Sequence, residues 1–205
     1  LNKSGTGVLT LEGTNTFTGN VSISAGTLEY STVSDGGGVA SNLGQGFAIS
    51  MAGGVLRFIG PTDQSTNRPI TTTGSATLTA SGTSGATITY AGSITQAANN
   101  SLTLNGAGEG FITGGITQPA GAASADITVS AGTWTIEDAN VSIADDLLLS
   151  AGSVLTLQNL VLSVNDDIVN TGGTLNLNTT GLWAPTNPAG TSAGLYARGH
   201  QSRCQ

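Results

Sequence analysis

Five aspartates, Asp126, Asp145, Asp146, Asp166 and Asp167, are the residues of this chain whose type and spacing could do chemistry. Three of them lead segments that superpose: Asp126-Ile-Thr-Val-Ser-Ala-Gly-Thr133, Asp146-Leu-Leu-Leu-Ser-Ala-Gly-Ser153 and Asp167-Ile-Val-Asn-Thr-Gly-Gly-Thr174. The leading carboxylates are 20 and 21 residues apart, with Asp145 and Asp166 beside them. Stacked one rung above another at about 5 Å they repel, and either full solvation or a bound cation must relieve that. Aspartate oxygens together with corner carbonyls would suit Ca²⁺. The Gly-Gly-x-Gly-x-Asp nonapeptide of calcium-binding rolls is missing, so a solvated acidic edge is the first reading and a calcium site its alternative.

Catalytic chemistry finds less support. Glycan-cleaving enzymes pair carboxylates as acid and base, commonly beside an Arg or Lys. Asp145, Asp146, Asp166 and Asp167 could supply the carboxylates, yet no Lys or Arg lies between Arg68 and Arg198. The single His200 falls in a Pro- and Gly-rich tail, and the lone Cys204 sits one residue from the end, so an internal disulfide is impossible. No phosphate loop or Cys/His metal spacing occurs, and the Gly-x-Ser-x-Gly string Gly190-Thr-Ser-Ala-Gly194 falls in the same tail rather than between a strand and a helix, so it forms no nucleophile elbow. The expectation is no catalytic residue, and no cofactor beyond the calcium option.

The elements that must position these aspartates are legible from the repeat. An earlier copy, Asn20-Val-Ser-Ile-Ser-Ala-Gly-Thr27, carries Asn in the leading place, and Gly markers recur from Gly26 to Gly172 at steps of 18 to 27 residues. A fixed period near 20 made of short strand-like units is the signature of a solenoid, since one unit cannot bury its own apolar face. Alternation of apolar and polar residues predicts strands at 8–11, 21–24, 27–30, 47–51, 55–59, 76–79, 86–90, 101–104 and 111–113. It continues at 127–130, 133–136, 141–144, 147–150, 154–157, 160–164, 168–170 and 174–178, and no segment carries a helical period. The fold class expected is all-β: a single-stranded, right-handed parallel β-helix of roughly nine ~20-residue coils, the hand following from the crossover rule. A β-sandwich is the competing architecture but predicts no such self-similarity.

Two insertions are expected to project from the rod, at Ser34-Asp-Gly-Gly-Gly38 and at Gly60-Pro-Thr-Asp-Gln-Ser-Thr-Asn67, where Pro61 and Pro69 interrupt pairing. Trp134, within a strand, is expected to pack in the core or a groove. The solenoid should span residues 1–180. Residues 181–205, with Ala184-Pro-Thr-Asn-Pro-Ala-Gly-Thr-Ser-Ala-Gly194, break the period and read as a cap or tail. The Thr-x-Thr pairs 77/79, 87/89 and 133/135 do not recur at a constant frame, so they read as outward strand threonines rather than a binding ladder.

Composition narrows the partners. Twelve acids against five bases give a net charge of −7, and the bases are scattered rather than clustered as a phosphate-neutralising surface needs, which disfavours nucleic acid and anionic membranes as partners. No apolar run approaches the ~20 residues of a membrane-spanning helix, so direct membrane insertion is not expected. The chain starts at Leu1 without an initiator Met or signal peptide and is expected to be a processed product or a fragment.

One stretch resembles a known family. Gly5-Thr-Gly-Val-Leu-Thr-Leu-Glu-Gly-Thr-Asn-Thr-Phe-Thr-Gly-Asn-Val-Ser-Ile-Ser-Ala-Gly-Thr-Leu28 resembles the autotransporter-associated β-strand repeat, with Phe17 where Tyr is common. Asn42-Leu-Gly-Gln-Gly-Phe-Ala-Ile-Ser50 and Gly53-Gly-Val-Leu-Arg-Phe58 look like its next coil, so the likeness is dense over residues 5–59. It implies a secreted or surface-exposed bacterial β-helix, a passenger or adhesin segment without catalytic residues. The expected function is therefore a structural stalk that associates end to end or contacts a glycan or host surface. A carbohydrate-binding or polysaccharide-degrading β-helix is the alternative.

Overall fold

The computed structural model describes residues 1–119, 125–137, 141–160, 162–178 and the strand Leu195–Ala197. Its strands stack into three parallel sheets, as a solenoid requires. Sheet I has eight strands: Asn2–Lys3, Val21–Ile23, Ile49–Met51, Ile70–Thr72, Ile94–Gln96, Ile116–Thr117, Val141–Ile143 and Leu162–Val164. Sheet II has nine: Val8–Leu11, Thr27–Tyr30, Val55–Phe58, Ala76–Ala80, Leu102–Asn105, Ile127–Val129, Leu147–Leu149, Ile168–Asn170 and Leu195–Ala197. Sheet III has six: Gln64–Thr66, Thr87–Tyr90, Glu109–Ile112, Thr133–Glu137, Val154–Gln158 and Thr174–Asn178. The chain is thus an all-β parallel solenoid. Its first two coils use two strands and the next six use three, and of the ninth only the sheet II strand is described.

Register explains the core. Val21, Ile49, Ile70, Ile94, Ile116, Val141 and Leu162 form one inward column, each almost fully buried against the residue one rung away. Burial of each such side chain is worth roughly 1.5–3 kcal/mol, but only once a neighbouring coil covers it. On the last described strand of sheet III, Leu177 is 53% exposed, with no described strand of that sheet beyond it. Beside this aliphatic stack lies an aromatic one. Tyr30 and Phe58 have ring centroids 5.7 Å apart, and Tyr90 stacks on Trp134 at 6.5 Å. The fully buried Tyr30 and Tyr90 hydroxyls meet at 3.0 Å, sixty residues apart in sequence. Trp134 pairs in register with Gly110, and its ring occupies the space that a Cβ there would fill. Trp134 is therefore core.

The insertion around Ser34 is real. Rungs at Glu29 and Arg57 are 28 residues apart, against 20 and 21 for Asp126, Asp146 and Asp167. Instead of only projecting, this long connection packs along the first strand of sheet III. Val33 N–H donates to Gln64 Oε1 (3.0 Å), Gly36 N–H to Asn67 Oδ1 (2.9 Å) and Asn67 N–H to Asp35 Oδ1 (2.8 Å). The fully buried Arg68 guanidinium donates to the carbonyls of Ser34 (2.9 Å), Leu43 (2.7 Å) and Gly44 (2.7 Å). Burial holds its pKa below the ordinary value, partly offset by Asp35.

The second expected insertion, residues 60–67, is overturned. Gln64–Thr66 is the strand that begins sheet III, paired to Thr87–Tyr90 with Thr66 fully buried. Pro61 lies outside it, and Pro69 sits at the corner before Ile70, where its carbonyl accepts from Ile49 N–H at 3.0 Å. Both prolines occupy places that need no ladder donor.

Candidate functional site

The aspartates lie at the corner between sheets I and II. Ala76, Leu102, Ile127, Leu147 and Ile168 share one register, so Ser75, Ser101, Asp126, Asp146 and Asp167 precede them as a single column. Backbone bonds tie the corners rung to rung: Leu102 N–H to Asp126 O, Ile127 N–H to Asp146 O and Leu147 N–H to Asp167 O, at 3.0, 3.0 and 2.9 Å. The side chains add a second ladder. Ser101 N–H donates to Ser75 Oγ (3.1 Å), Asp146 N–H to Asp126 Oδ1 (3.4 Å) and Asp167 N–H to Asp146 Oδ1 (2.9 Å). Corner amides that the sheets cannot pair thus find carboxylate or hydroxyl acceptors one coil away. The repeat predicted the stacking of Asp126, Asp146 and Asp167, but this structural duty appears only in three dimensions.

Among the described residues no backbone amide donates to the Asp145 carboxylate. That carboxylate, with those of Asp126 and Asp146, brings one oxygen each to within 4.8 Å of one another, all partly buried. Burial, then the charges of Asp146 and Asp126, raises the Asp145 carboxyl above its ordinary range. Asp146 is raised too, by burial first, against the opposing hydrogen bond from Asp167 N–H and with repulsion from Asp166, Asp126 and Asp167. Three hard oxygens at this spacing could hold a divalent ion such as Ca²⁺, which would relieve the repulsion. Among the described residues, Asp166 and Asp167 stand outside that three-residue group and continue the corner one rung on.

His200, Cys204, Arg198 and Arg203 lie outside the described residues. The Thr-x-Thr pairs are on sheets II and III. A constant-frame hydroxyl column exists elsewhere, on the outer face of sheet I: Ser22, Ser50, Thr71, Thr95, Thr117, Ser142 and Ser163. Single hydroxyls in three-residue strands gave no pair signal in the sequence.

A recess that the sequence reading missed lies on the outer face of sheet II. It is a shallow, open depression of about 540 Å³ lined by Glu29, Arg57, Thr79, Asn105, Gly106 and Ala131, among others. Glu29 and Arg57 are paired in register and form an ion pair of 2.9 Å. In sequence, Leu28-Glu29-Tyr30 and Leu56-Arg57-Phe58 share one pattern, but their 28-residue separation departs from the period, so the pattern alone does not set them one rung apart. Among the described residues no helix is long and apolar enough to cross a membrane.

Comparison with protein families matches residues 1–29 to the passenger-associated-transport-repeat. The match covers the first strands of sheets I and II and most of the pair stacked on them, and it stops well short of residue 59, where the sequence resemblance ends. Comparisons with curated proteins and with solved structures find no match.

Proposed function

We propose that this chain is a non-catalytic structural segment of a bacterial surface protein, a stiff stalk or passenger section exposed outside the cell. The observation that carries the reading is the unbroken stacking of three parallel sheets of eight, nine and six strands, with the corners laddered as well. Nine rungs at ~4.8 Å make a rod of about 40 Å whose backbone groups are largely paired along its length. The similarity of residues 1–29 to a passenger-associated-transport repeat supports the export context. A parallel solenoid can extend by adding coils rung on rung, and that geometry supports end-to-end association.

Small-angle scattering together with thermolysin digestion tests the stalk. An elongated particle whose solenoid resists digestion is expected. A compact globule, or cleavage throughout residues 1–178 under native conditions, would refute it. Sedimentation velocity across a concentration series tests end-to-end association, and a purely monomeric boundary at every concentration would exclude it. Fusion to an autotransporter barrel addresses export, with surface display expected to fall when residues 1–29 are removed.

A further inference from the structure

We infer that the recess on the outer face of sheet II binds a neutral oligosaccharide. Glu29, Arg57, Thr79 and Asn105 stand on four successive rungs, each in register with the next. Three rung spacings of ~4.8 Å set the outermost about 14 Å apart along the rod, long enough for an extended chain rather than a single small ion. The strand ladder fixes their spacing, so little conformational freedom is lost when a ligand docks.

The lining chemistry selects the ligand. Glu29 is already engaged on both oxygens, by Arg57 Nη1 at 2.9 Å and by Thr10 Oγ1 at 2.8 Å. The pair is charge-matched, so the recess does not call for an ionic ligand, and an acidic one would meet the Glu29 carboxylate. Arg57 spends only Nη1 on that pair. Among the described residues its Nε and Nη2, Thr79 Oγ1, Ser81 Oγ and Asn105 Nδ2 make no hydrogen bond. Fixed donors interleaved with hydroxyls that both donate and accept match a polyhydroxylated partner.

Asn105 is itself held in place, because its carbonyl accepts from Trp134 Nε1 at 3.3 Å and its Oδ1 accepts from Gly106 N–H. The small apolar surfaces of Ala107 and Ala131, with Ile59, leave room for the C–H face of a sugar ring. A peptide adding as a strand would need an open sheet edge, and this recess lies on a sheet face. The inference does not rest on the chain being a stalk, so failure of either reading leaves the other standing.

The test is a ¹H–¹⁵N titration of the full chain with cellohexaose, maltohexaose and mannohexaose, each to about 20 mM, with hexagalacturonate as the acidic probe. An open recess supports a Kd of about 1 mM for at least one neutral probe, with shifts centred on the amides of Arg57, Thr79, Asn105 and Gly106. Arg57→Met and Thr79→Val should each weaken that binding about tenfold at unchanged melting temperature, because ligand hydroxyls lose their partners. Should Arg57→Met lower the melting temperature, Ser81→Ala serves instead, with about threefold weaker binding expected and an unchanged Kd counting against the site. No shift with any neutral hexasaccharide, shifts mapping elsewhere, or tighter binding of hexagalacturonate overturns the inference.

Discussion

Replacing Asp145 by Asn should make the protein more stable at neutral pH. The side chain is nearly isosteric, and among the described hydrogen bonds the carboxylate of Asp145 supports no backbone group; only its main-chain carbonyl does, accepting from Asp166 N–H. What the substitution removes is repulsion from Asp126 and Asp146, whose oxygens lie within 4.8 Å. At that distance and a water-like dielectric each pair costs about 0.9 kcal/mol, reduced to about 0.5 by physiological salt, so the two together give about 1 kcal/mol. For a chain of this size that is a rise in melting temperature of about 2–4 °C.

The pH dependence has a definite sign. The folded-state pKa of Asp145 is raised above its unfolded value, so the native state binds more protons in the window between the two. Wild-type stability from this group therefore falls as pH rises through the folded pKa, and the advantage of Asp145→Asn is fully present at pH 7. It disappears below the unfolded value of about 3.9. Urea midpoints of both proteins at pH 7 and pH 3.5 check this. An equal or lower midpoint for the variant at pH 7, or a gain that is the same at both pH values, would refute the repulsion argument. Calcium at about 5 mM should raise the wild-type midpoint at pH 7 and raise that of Asp145→Asn less. An unmoved wild-type midpoint ends the calcium reading.

Other perturbations probe the fold. Gly110→Ala places a Cβ about 2.5 Å from the Trp134 ring and should cost about 1–3 kcal/mol, with a shift in Trp134 fluorescence; an unchanged midpoint and spectrum would contradict the packing. Arg68→Met strips the buried donors from the Ser34, Leu43 and Gly44 carbonyls. It should cost about 3 kcal/mol and open residues 31–48 to protease, and wild-type resistance there would contradict this. Tyr30→Phe leaves the Tyr90 hydroxyl unpaired in the core at a cost of about 1–3 kcal/mol. Tyr30→Phe with Tyr90→Phe should cost less than the sum of the single changes, and strict additivity in the cycle would argue against the bond.

Much of this architecture was open to reading along the chain. Alternation needs only neighbours in sequence, so Val21, Ile23, Leu28 and Tyr30 announce strands and an inward face without any knowledge of what covers them. The 20-residue recurrence of Asp126, Asp146 and Asp167 announces that coils stack, because a unit so short cannot be buried alone. Gln64–Thr66 was hidden because its apolar signal is weak and prolines flank it; its place as a strand comes from Thr87–Tyr90 beside it and from the Arg68-held loop across it.

The candidate sites divide in the same way. That the aspartates would stand in a column was a matter of period. That Asp126 and Asp146 spend their oxygens on backbone amides while Asp145 is left with the repulsion depended on corner geometry. The ion pair of Glu29 with Arg57, 28 residues away, likewise depended on how many residues the loop before Arg57 absorbs, since register rather than sequence distance brings outward side chains together. The sequence by itself determined a stacked all-β coil with a buried aliphatic face, because those follow from local period and burial. Only the tertiary structure decided which polar groups meet across rungs, because loop lengths between strands set that register.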